Sequence, residues 1–140
     1  MKGKWIGEYW FTEKAPDNLL NRKTNFEAQI DSIENSKFSG WVKDDLSSGG
    51  TKGKGTIDGK IKGNKVKFVK QMPILTLIIG NDEKIEENKP HKPIYYQGTI
   101  NLEKNEITGT WRFKQGFGFL KGGFAFYAGG KGEWKMKKSD

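Results

Sequence analysis

The sequence predicts an all-β protein, a single up-and-down antiparallel barrel of about eight to ten short strands. Apolar and polar residues alternate with a period of two in one segment after another, as in strands whose side chains face opposite sides of a sheet. Glycine supplies 19 of the 140 residues, roughly double its usual share of about 7%. Such a content is typical of the bends and close strand contacts of small barrels. Runs of Ala, Leu and Glu that favour helices are nearly absent.

The clearest alternation lies in two long hairpins, at residues 51–72 and 94–114. Gly63 and Asn64 separate the arms of the first and tolerate the positive backbone angles of a tight turn. Two amphipathic hairpins imply one enclosed apolar interior. Their predicted inward positions include Ile57, Ile61, Val66, Phe68, Lys70, Met72, Tyr96, Gly98, Ile100, Ile107, Gly109, Trp111 and Phe113.

Shorter alternating segments complete the barrel, and the length fits one domain spanning residues 1–140. Closure removes the unpaired edges that a series of hairpins would otherwise expose. A barrel of about eight strands is wide enough to be filled by its own side chains or to hold one small ligand. The further segments are 4–11, 26–30, 38–42, 124–128 and 132–137.

The chain is basic, with 25 Lys and Arg against 17 Asp and Glu and a net charge of +8. Most of the basic residues are lysines at outward positions of strands, where they serve solubility and protect strand edges. We prefer that interpretation to a nucleic-acid surface. Arginine, which suits bidentate contacts with guanine or phosphate, occurs only at Arg22 and Arg112, so no sequence-specific nucleic-acid binding is expected.

The sequence also limits the cellular setting. It has no cysteine, which excludes a disulfide framework and thiol chemistry. The start at Met1–Trp5 lacks the apolar run of a secretory signal, and no apolar segment of about 18 residues could span a bilayer. We therefore expect a cytoplasmic protein that does not enter a membrane.

Two segments after the first long hairpin are candidates for a role outside the core. Ile74–Ile79 is an unbroken apolar run, which is either a strand covered on both faces or an edge available to a second copy of the chain. The second interpretation predicts a homo-oligomer. Asn81–Pro93 has no period and many charges, which predicts a mobile loop, placed as a lid at the mouth of the barrel.

Few residues are candidates for chemistry, and we expect neither a metal nor a cofactor. His91, the sole histidine, lies between two charged or turn-forming residues in the predicted loop and is interpreted as a solvated side chain without converging ligands. Asp44 and Asp45 could bind a cation or act as a carboxylate pair. Because adjacent residues at a strand end point apart and Ser47 and Ser48 follow, we prefer a turn.

The remaining functional signal is aromatic. Phe38, Phe68, Tyr96 and Trp111 fall at inward positions that also carry glycines, an arrangement that gives either dense interlock or a cavity. We favour a cavity, and predict non-catalytic binding of a small, mostly apolar molecule by these four residues, with Tyr96 donating a hydrogen bond. One alternative is a solid barrel that contacts other proteins or itself. Another is an enzyme that uses Tyr96 or Asp44 as acid or base.

Several short motifs resemble the calycin group of barrels, the lipocalin-like and avidin-like proteins. Gly3-Lys4-Trp5 resembles the Gly-x-Trp that opens the first lipocalin strand, and Gly109-Thr110-Trp111 resembles a Gly-Thr-Trp piece common in these barrels. The resemblance implies an up-and-down barrel whose interior or rim carries the function, and it supports the fold more than the function. Further pieces are Phe38-Ser39-Gly40, Gly55-Thr56-Ile57-Asp58-Gly59, Tyr96-Gln97-Gly98 and Gly123-Phe124.

Overall fold

The computed structural model describes residues 1–13, 20–79, 83–87, 90–120, 123–127 and 129–139, the strands at 75–79, 83–87, 116–120 and 123–127 by their backbone. Its strands are β1 (Gly3–Glu13), β2 (Thr24–Glu34), β3 (Lys37–Asp44), β4 (Lys54–Lys62), β5 (Lys65–Gln71), β6 (Leu75–Ile79), β7 (Glu83–Glu87), β8 (Ile94–Asn101), β9 (Glu106–Phe113), β10 (Gly116–Leu120), β11 (Gly123–Tyr127) and β12 (Gly130–Lys138). Eight of them close an antiparallel barrel in the order β1-β12-β9-β8-β5-β4-β3-β2. The predicted all-β, up-and-down barrel is confirmed.

Two hairpins, β6-β7 and β10-β11, form separate two-stranded sheets. The prediction that residues 124–128 belong to the barrel is therefore wrong for 124–127, which pair with β10 alone. The prediction of a loop without regular structure across Asn81–Pro93 is wrong for Glu83–Glu87, which pairs with β6 along its whole length. Backbone hydrogen bonds to a neighbouring apolar strand stabilise such a segment even when its own sequence lacks alternation. Self-association through Ile74–Ile79 stays a prediction. Within the described ranges the one helical element is a 3₁₀ turn at Leu46–Ser48, and no helix there could cross a membrane.

The two ends of the barrel differ. At one, which we call the closed end, three short connections join neighbouring strands at residues 35–36, 63–64 and 102–105, and both chain termini lie there. Gly63 takes a φ of 59°, the left-handed value that the predicted tight turn requires. At the other, which we call the loop end, the connections span residues 14–23, 45–53, 72–93 and 114–129. The longer connections therefore share one end of the barrel.

The closed end is tied together by hydrogen bonds. The indole Nε1 of Trp5 donates to the carbonyl of Met1 at 2.7 Å, and the backbone N–H of Ser139 donates to the carbonyl of Lys4 at 2.9 Å. Trp5 itself is buried. This end of the barrel is thus plugged by the Trp of the Gly-x-Trp motif and by the terminal segments.

The inward positions predicted from parity form the core. Phe68 and Trp111 are 5% and 3% exposed, as the alternation along their strands requires. The register also places the predicted aromatic residues in one row, because Phe38 lies opposite Gly59, Gly59 opposite Phe68, Phe68 opposite Tyr96, and Tyr96 opposite Trp111. We call Phe38, Phe68, Tyr96 and Trp111 the aromatic row. It descends from Trp111 near the loop end to Phe38 near the closed end.

Glycines inside the barrel make room for the rings of that row and its neighbours. A Cβ added at Gly59 would lie 2.5 Å from the Cβ of Phe68 and 2.6 Å from the Cζ of Phe38. One added at Gly98 would lie 2.9 Å from the Cζ2 of Trp134. All three distances are shorter than ordinary packing allows. At these glycines the interior is therefore densely packed. Of the two arrangements that the sequence allows, interlocked rings or a cavity, the structure shows interlocked rings at these positions.

Candidate functional site

A buried ion pair lies inside the barrel toward the loop end. The Nζ of Lys70 is 2.8 Å from Oδ1 of Asp44, and the two side chains are 3% and 1% exposed. Lys70 points inward because it shares the parity of Val66 and Phe68 on β5. Asp44 points inward as the last residue of β3. The barrel thus encloses two opposite charges among apolar side chains.

The Asp44 carboxylate is held by three donors. Besides Lys70, the hydroxyl of Tyr9 donates to Oδ2 at 2.7 Å, and the backbone N–H of Thr51 donates to the same oxygen at 3.1 Å. Thr51 lies in the connection between β3 and β4. The Asp44 carboxylate is therefore hydrogen-bonded by a loop residue as well as by residues of the strands. Buried charges persist only when they are paired and hydrogen-bonded in this way.

Aromatic rings surround the ammonium group of Lys70. Its Nζ lies 4.6 Å from the ring centroid of Tyr9, 5.6 Å from that of Phe26 and 5.8 Å from that of Tyr96. Ring faces attract a cation, and the attraction is stronger where water is excluded. We call Asp44, Lys70, Tyr9 and Tyr96 the ion-pair cluster.

The pKa values of Lys70, Tyr9 and Tyr96 are raised above their usual values. Burial, the largest single cause, lowers the pKa of Lys70, but the Asp44 carboxylate and Tyr96 together outweigh it, and the net shift is upward. Burial, followed by the Asp44 charge, raises the pKa of Tyr9 well above its usual value. Burial raises the pKa of Tyr96 to about 12, with the nearby Lys70 ammonium opposing the shift. Both phenols are therefore neutral hydrogen-bond donors at physiological pH, beside a permanent ammonium.

His91 also belongs to the loop end, and its interpretation as a solvated side chain is wrong. The residue is 6% exposed, and its ring meets that of Phe113 edge-on at 4.9 Å. Its backbone N–H donates to the carbonyl of Met72 at 3.1 Å, and its Nδ1 lies 2.8 Å from the carbonyl of Lys92. Because a carbonyl only accepts, Nδ1 carries the proton. The Met72 contact draws the segment onto the barrel, which the charges around it in the sequence do not reveal.

The burial of His91 predicts a pH dependence of stability. Burial lowers the pKa of its imidazole below the usual 6.5, and the ammonium of Lys70 acts in the same direction, whereas the Lys92 carbonyl and the Asp44 charge oppose the shift. Just below pH 6.5 the unfolded chain therefore binds more protons at this imidazole than the folded chain does. The contribution of His91 to the free energy of unfolding is fully present above that pH and decreases as the pH falls.

Thermal unfolding between pH 5 and 7 should show this decline for the native chain and a smaller one for His91→Phe. The chain has one histidine and no cysteine. The difference between the two chains therefore measures the effect of the His91 imidazole on the pH dependence of stability. An unchanged slope in the variant would contradict the assignment.

The four predicted ligand-binding residues lie together and adjoin the ion-pair cluster. The rings of Phe68 and Tyr96 are stacked at 4.7 Å with 12° between planes, and Phe38 meets Phe68 at 6.1 Å. Trp111 meets Tyr9 edge-on at 5.9 Å. Tyr96 therefore belongs to both groups, and Tyr9 bridges Trp111 to Asp44.

Sequence reasoning missed the ion pair, although half of it was visible. Lys70 is a charged residue in an otherwise apolar parity row, which is the signal that a buried partner exists. The preferred interpretation of Asp44 as part of a turn is wrong, but it holds for Asp45, whose carboxylate caps the 3₁₀ turn by accepting from the backbone N–H of Ser47 at 3.1 Å. Adjacent residues point apart, as expected, and take different roles.

In the part of the chain that the structure describes, no group of three or more His, Cys, Asp or Glu side chains could hold a metal ion. Comparison with protein-family models, with curated proteins and with solved structures finds no match for this chain. The function must therefore be inferred from the barrel itself.

Proposed function

We propose that this protein is a calycin-like barrel that binds a small, mostly apolar molecule without transforming it. The molecule would lie along the aromatic row, with a polar end near the ion-pair cluster at the loop end. The observation that carries the proposal is the ion pair of Lys70 and Asp44, enclosed in an apolar interior directly beside Tyr96.

Energetics support a functional interpretation of the ion pair. Removing two charges from water costs several kcal/mol per ion, and their mutual attraction often does no more than offset that cost. Well-packed apolar residues would stabilise the barrel as well or better. Perturbed ionisable groups next to a ring-lined interior are the ordinary mark of a binding or catalytic site.

The surroundings of the cluster define the class of ligand. Lys70 and the hydroxyl of Tyr96 offer a positive charge and a donor, which suit a carboxylate or another electron-rich polar group. The rings of Trp111, Tyr96 and Phe68 suit an apolar or planar body. Because rings already occupy the space beside the interior glycines, such a ligand would have to displace some of them. Its apparent affinity then equals the intrinsic affinity multiplied by the fraction of molecules that are already open.

The pKa values favour binding over catalysis. An efficient general acid or base has a pKa near the working pH. Tyr96, one of the two residues considered for that role, has its pKa raised to about 12, and Asp44 is already engaged by three donors. Tyr96 therefore keeps its proton at neutral pH, and the carboxylate oxygens of Asp44 are occupied by hydrogen bonds within the protein.

A second candidate function is a solid barrel that acts through contacts with another chain. The interlock at Gly59 and Gly98 favours it, and the segment Ile74–Ile79 is the candidate contact. Light scattering distinguishes the two candidate functions. A protein that is strictly monomeric at micromolar concentration would not associate with itself through Ile74–Ile79.

Tryptophan fluorescence tests the binding proposal. Titration with decanoate and with naphthalene-1-sulfonate, an aliphatic and a planar probe that each carry one negative group, should change the emission of the native chain. The change should be reduced in Trp111→Phe, which keeps a ring in the row and leaves Trp134 to report on the interior. It should persist in Trp41→Phe, a matched control on the outer face, where Trp41 lies under the ammonium of Lys54 at 4.5 Å. Absence of any response, or equal loss in both variants, would count against the proposal.

A further inference from the structure

The outer face of the barrel carries a second candidate site. A groove of about 1440 Å³ is lined mainly by outward-facing residues of β3, β4, β5, β8 and β9, with contributions from β2 and β12, and its lining also includes the four residues of the aromatic row. Its acidic lining residues within the described ranges are Glu34 and Asp58. Seven basic residues line it: Lys37, Lys60, Lys62, Lys65, Lys67, Arg112 and Lys131.

The strand register brings several of these lysines directly opposite one another. Lys60 of β4 lies between Lys37 of β3 and Lys67 of β5. At the end of the same hairpin Lys62 lies opposite Lys65. Like charges in directly opposite positions destabilise a sheet. Three such pairs on one surface repel one another and lower the stability of the free protein. A negatively charged partner would reduce this repulsion.

The face formed by β1, β2 and β12 is arranged differently. There Lys4 pairs with Glu27 at 3.4 Å, and Glu8 lies 3.3 Å from Lys135 and 3.4 Å from Lys23. Charges of both signs are interleaved, as solubility alone requires. The excess of positive charge is thus concentrated on the grooved face, which a general preference for surface lysine does not explain.

An exposed ring lies in the same groove. Tyr95 is 38% exposed and lies opposite Arg112 in the register, with the guanidinium carbon 5.0 Å from the ring centroid. On the next strand Val69 is the partner of Tyr95. A phenol ring and a guanidinium plane on a sheet surface, flanked by cations, are the two features on which unstacked bases pack.

We propose that the groove binds single-stranded nucleic acid through its backbone and through stacking, without reading sequence. The lysines contact phosphates, which position a strand and carry no sequence information. Tyr95 and Arg112 stack on a base. The site agrees with the expectation that a chain with two arginines does not recognise sequence. A lipid surface fits less well, because a recessed groove presents its ring and charges to a strand rather than to a flat sheet of headgroups.

Salt dependence tests the phosphate contacts. Binding of a fluorescein-labelled 20-nucleotide oligo-dT, followed by anisotropy, should weaken as the salt concentration rises. Each phosphate contact contributes a slope of about −0.7 in log K against log[salt]. Lys60→Gln with Lys67→Gln should therefore reduce the slope by about 1.4. The control, Lys4→Gln with Lys23→Gln, changes the net charge equally on the ion-paired face and should leave the slope unchanged.

Tyr95→Ala tests the stacking. Loss of one base–ring stack should weaken oligo-dT binding at least about fivefold, with an unaltered salt slope, because no cation is removed. Ile6→Ala is the matched control, since Ile6 is an exposed residue of β1 outside the groove.

Four outcomes would overturn the proposal. The first is that oligo-dT does not bind at low salt, and the second is that the two lysine pairs have equal effects. The third is that inorganic polyphosphate binds as tightly as oligo-dT and that Tyr95→Ala has no effect. The fourth is that phosphatidylserine vesicles bind more tightly than oligo-dT and depend on Lys60 and Lys67 in the same way. The third would assign the groove to polyanions in general and the fourth to a membrane surface.

Discussion

Asp44→Leu is expected to lower the free energy of unfolding by about 3–5 kcal/mol. The substitution leaves the Lys70 ammonium buried without a counter-charge, at a position where its side chain is 3% exposed. It also removes the acceptor for the hydroxyl of Tyr9 and for the backbone N–H of Thr51. Urea unfolding followed by tryptophan fluorescence measures the loss.

The matched control is the double variant Asp44→Leu with Lys70→Met. Replacing both charges with apolar groups of similar size removes the unpaired ion, so most of the lost stability should return. Glu27→Gln, which breaks the exposed pair with Lys4, should change stability by less than about 1 kcal/mol. A loss below about 1 kcal/mol for Asp44→Leu alone would mean that the charges are solvated and that the enclosed ion pair is not there.

Gly109→Ala is expected to destabilise the barrel by about 3 kcal/mol or more, at the upper end of the range for overpacked cores. A Cβ at this position would lie 1.8 Å from the carbonyl oxygen of Gln97 and 2.5 Å from the Cα of Gly98. Both are backbone atoms of the neighbouring strand, so no side chain can rotate to make room. The shift in thermal or urea unfolding measures the cost.

Gly63→Ala separates this effect from the loss of a glycine in general. No atom lies within 4 Å of a Cβ at Gly63, and the residue has a φ of 59°, so the substitution should cost only the roughly 1–2 kcal/mol of a left-handed alanine. If Gly109→Ala and Gly63→Ala lowered stability by the same amount, the close approach of β8 and β9 at Gly109 would be contradicted.

The barrel was predictable because it depends on local pattern. Alternation with a period of two fixes which side chains face inward, and it places Phe68 and Trp111 inside with no knowledge of neighbouring strands. The turn at Gly63 follows from residue chemistry alone. The aromatic row was predicted as a set, since all its members have inward parity, but its continuity depends on the register between strands.

The ion-pair cluster was not predictable because it depends on long-range register and on loops. Lys70 at an inward position shows that a partner is needed, but Asp44 is reached only when β3, β4 and β5 are assembled and the connection after β3 supplies the N–H of Thr51. His91 is buried through the carbonyl of Met72, a backbone contact that leaves no trace in the residue types. Interlock and cavity, likewise, have the same sequence pattern and differ only in packing.

The most direct test of ligand binding at the loop end is a ¹H–¹⁵N spectrum of the labelled chain titrated with decanoate, followed through its indole N–H signals. The indole of Trp111 donates to the carbonyl of Glu133, and that of Trp134 to the carbonyls of Gln97 and Thr110, so both report on the interior. The indole of Trp5 reports on the closed end. Binding at the loop end should produce saturable shifts at the indoles of Trp111 and Trp134 and at the amide of Lys70, with the indole of Trp5 unchanged. Shifts restricted to the outer-face Trp41, or none with decanoate or naphthalene-1-sulfonate, would contradict it.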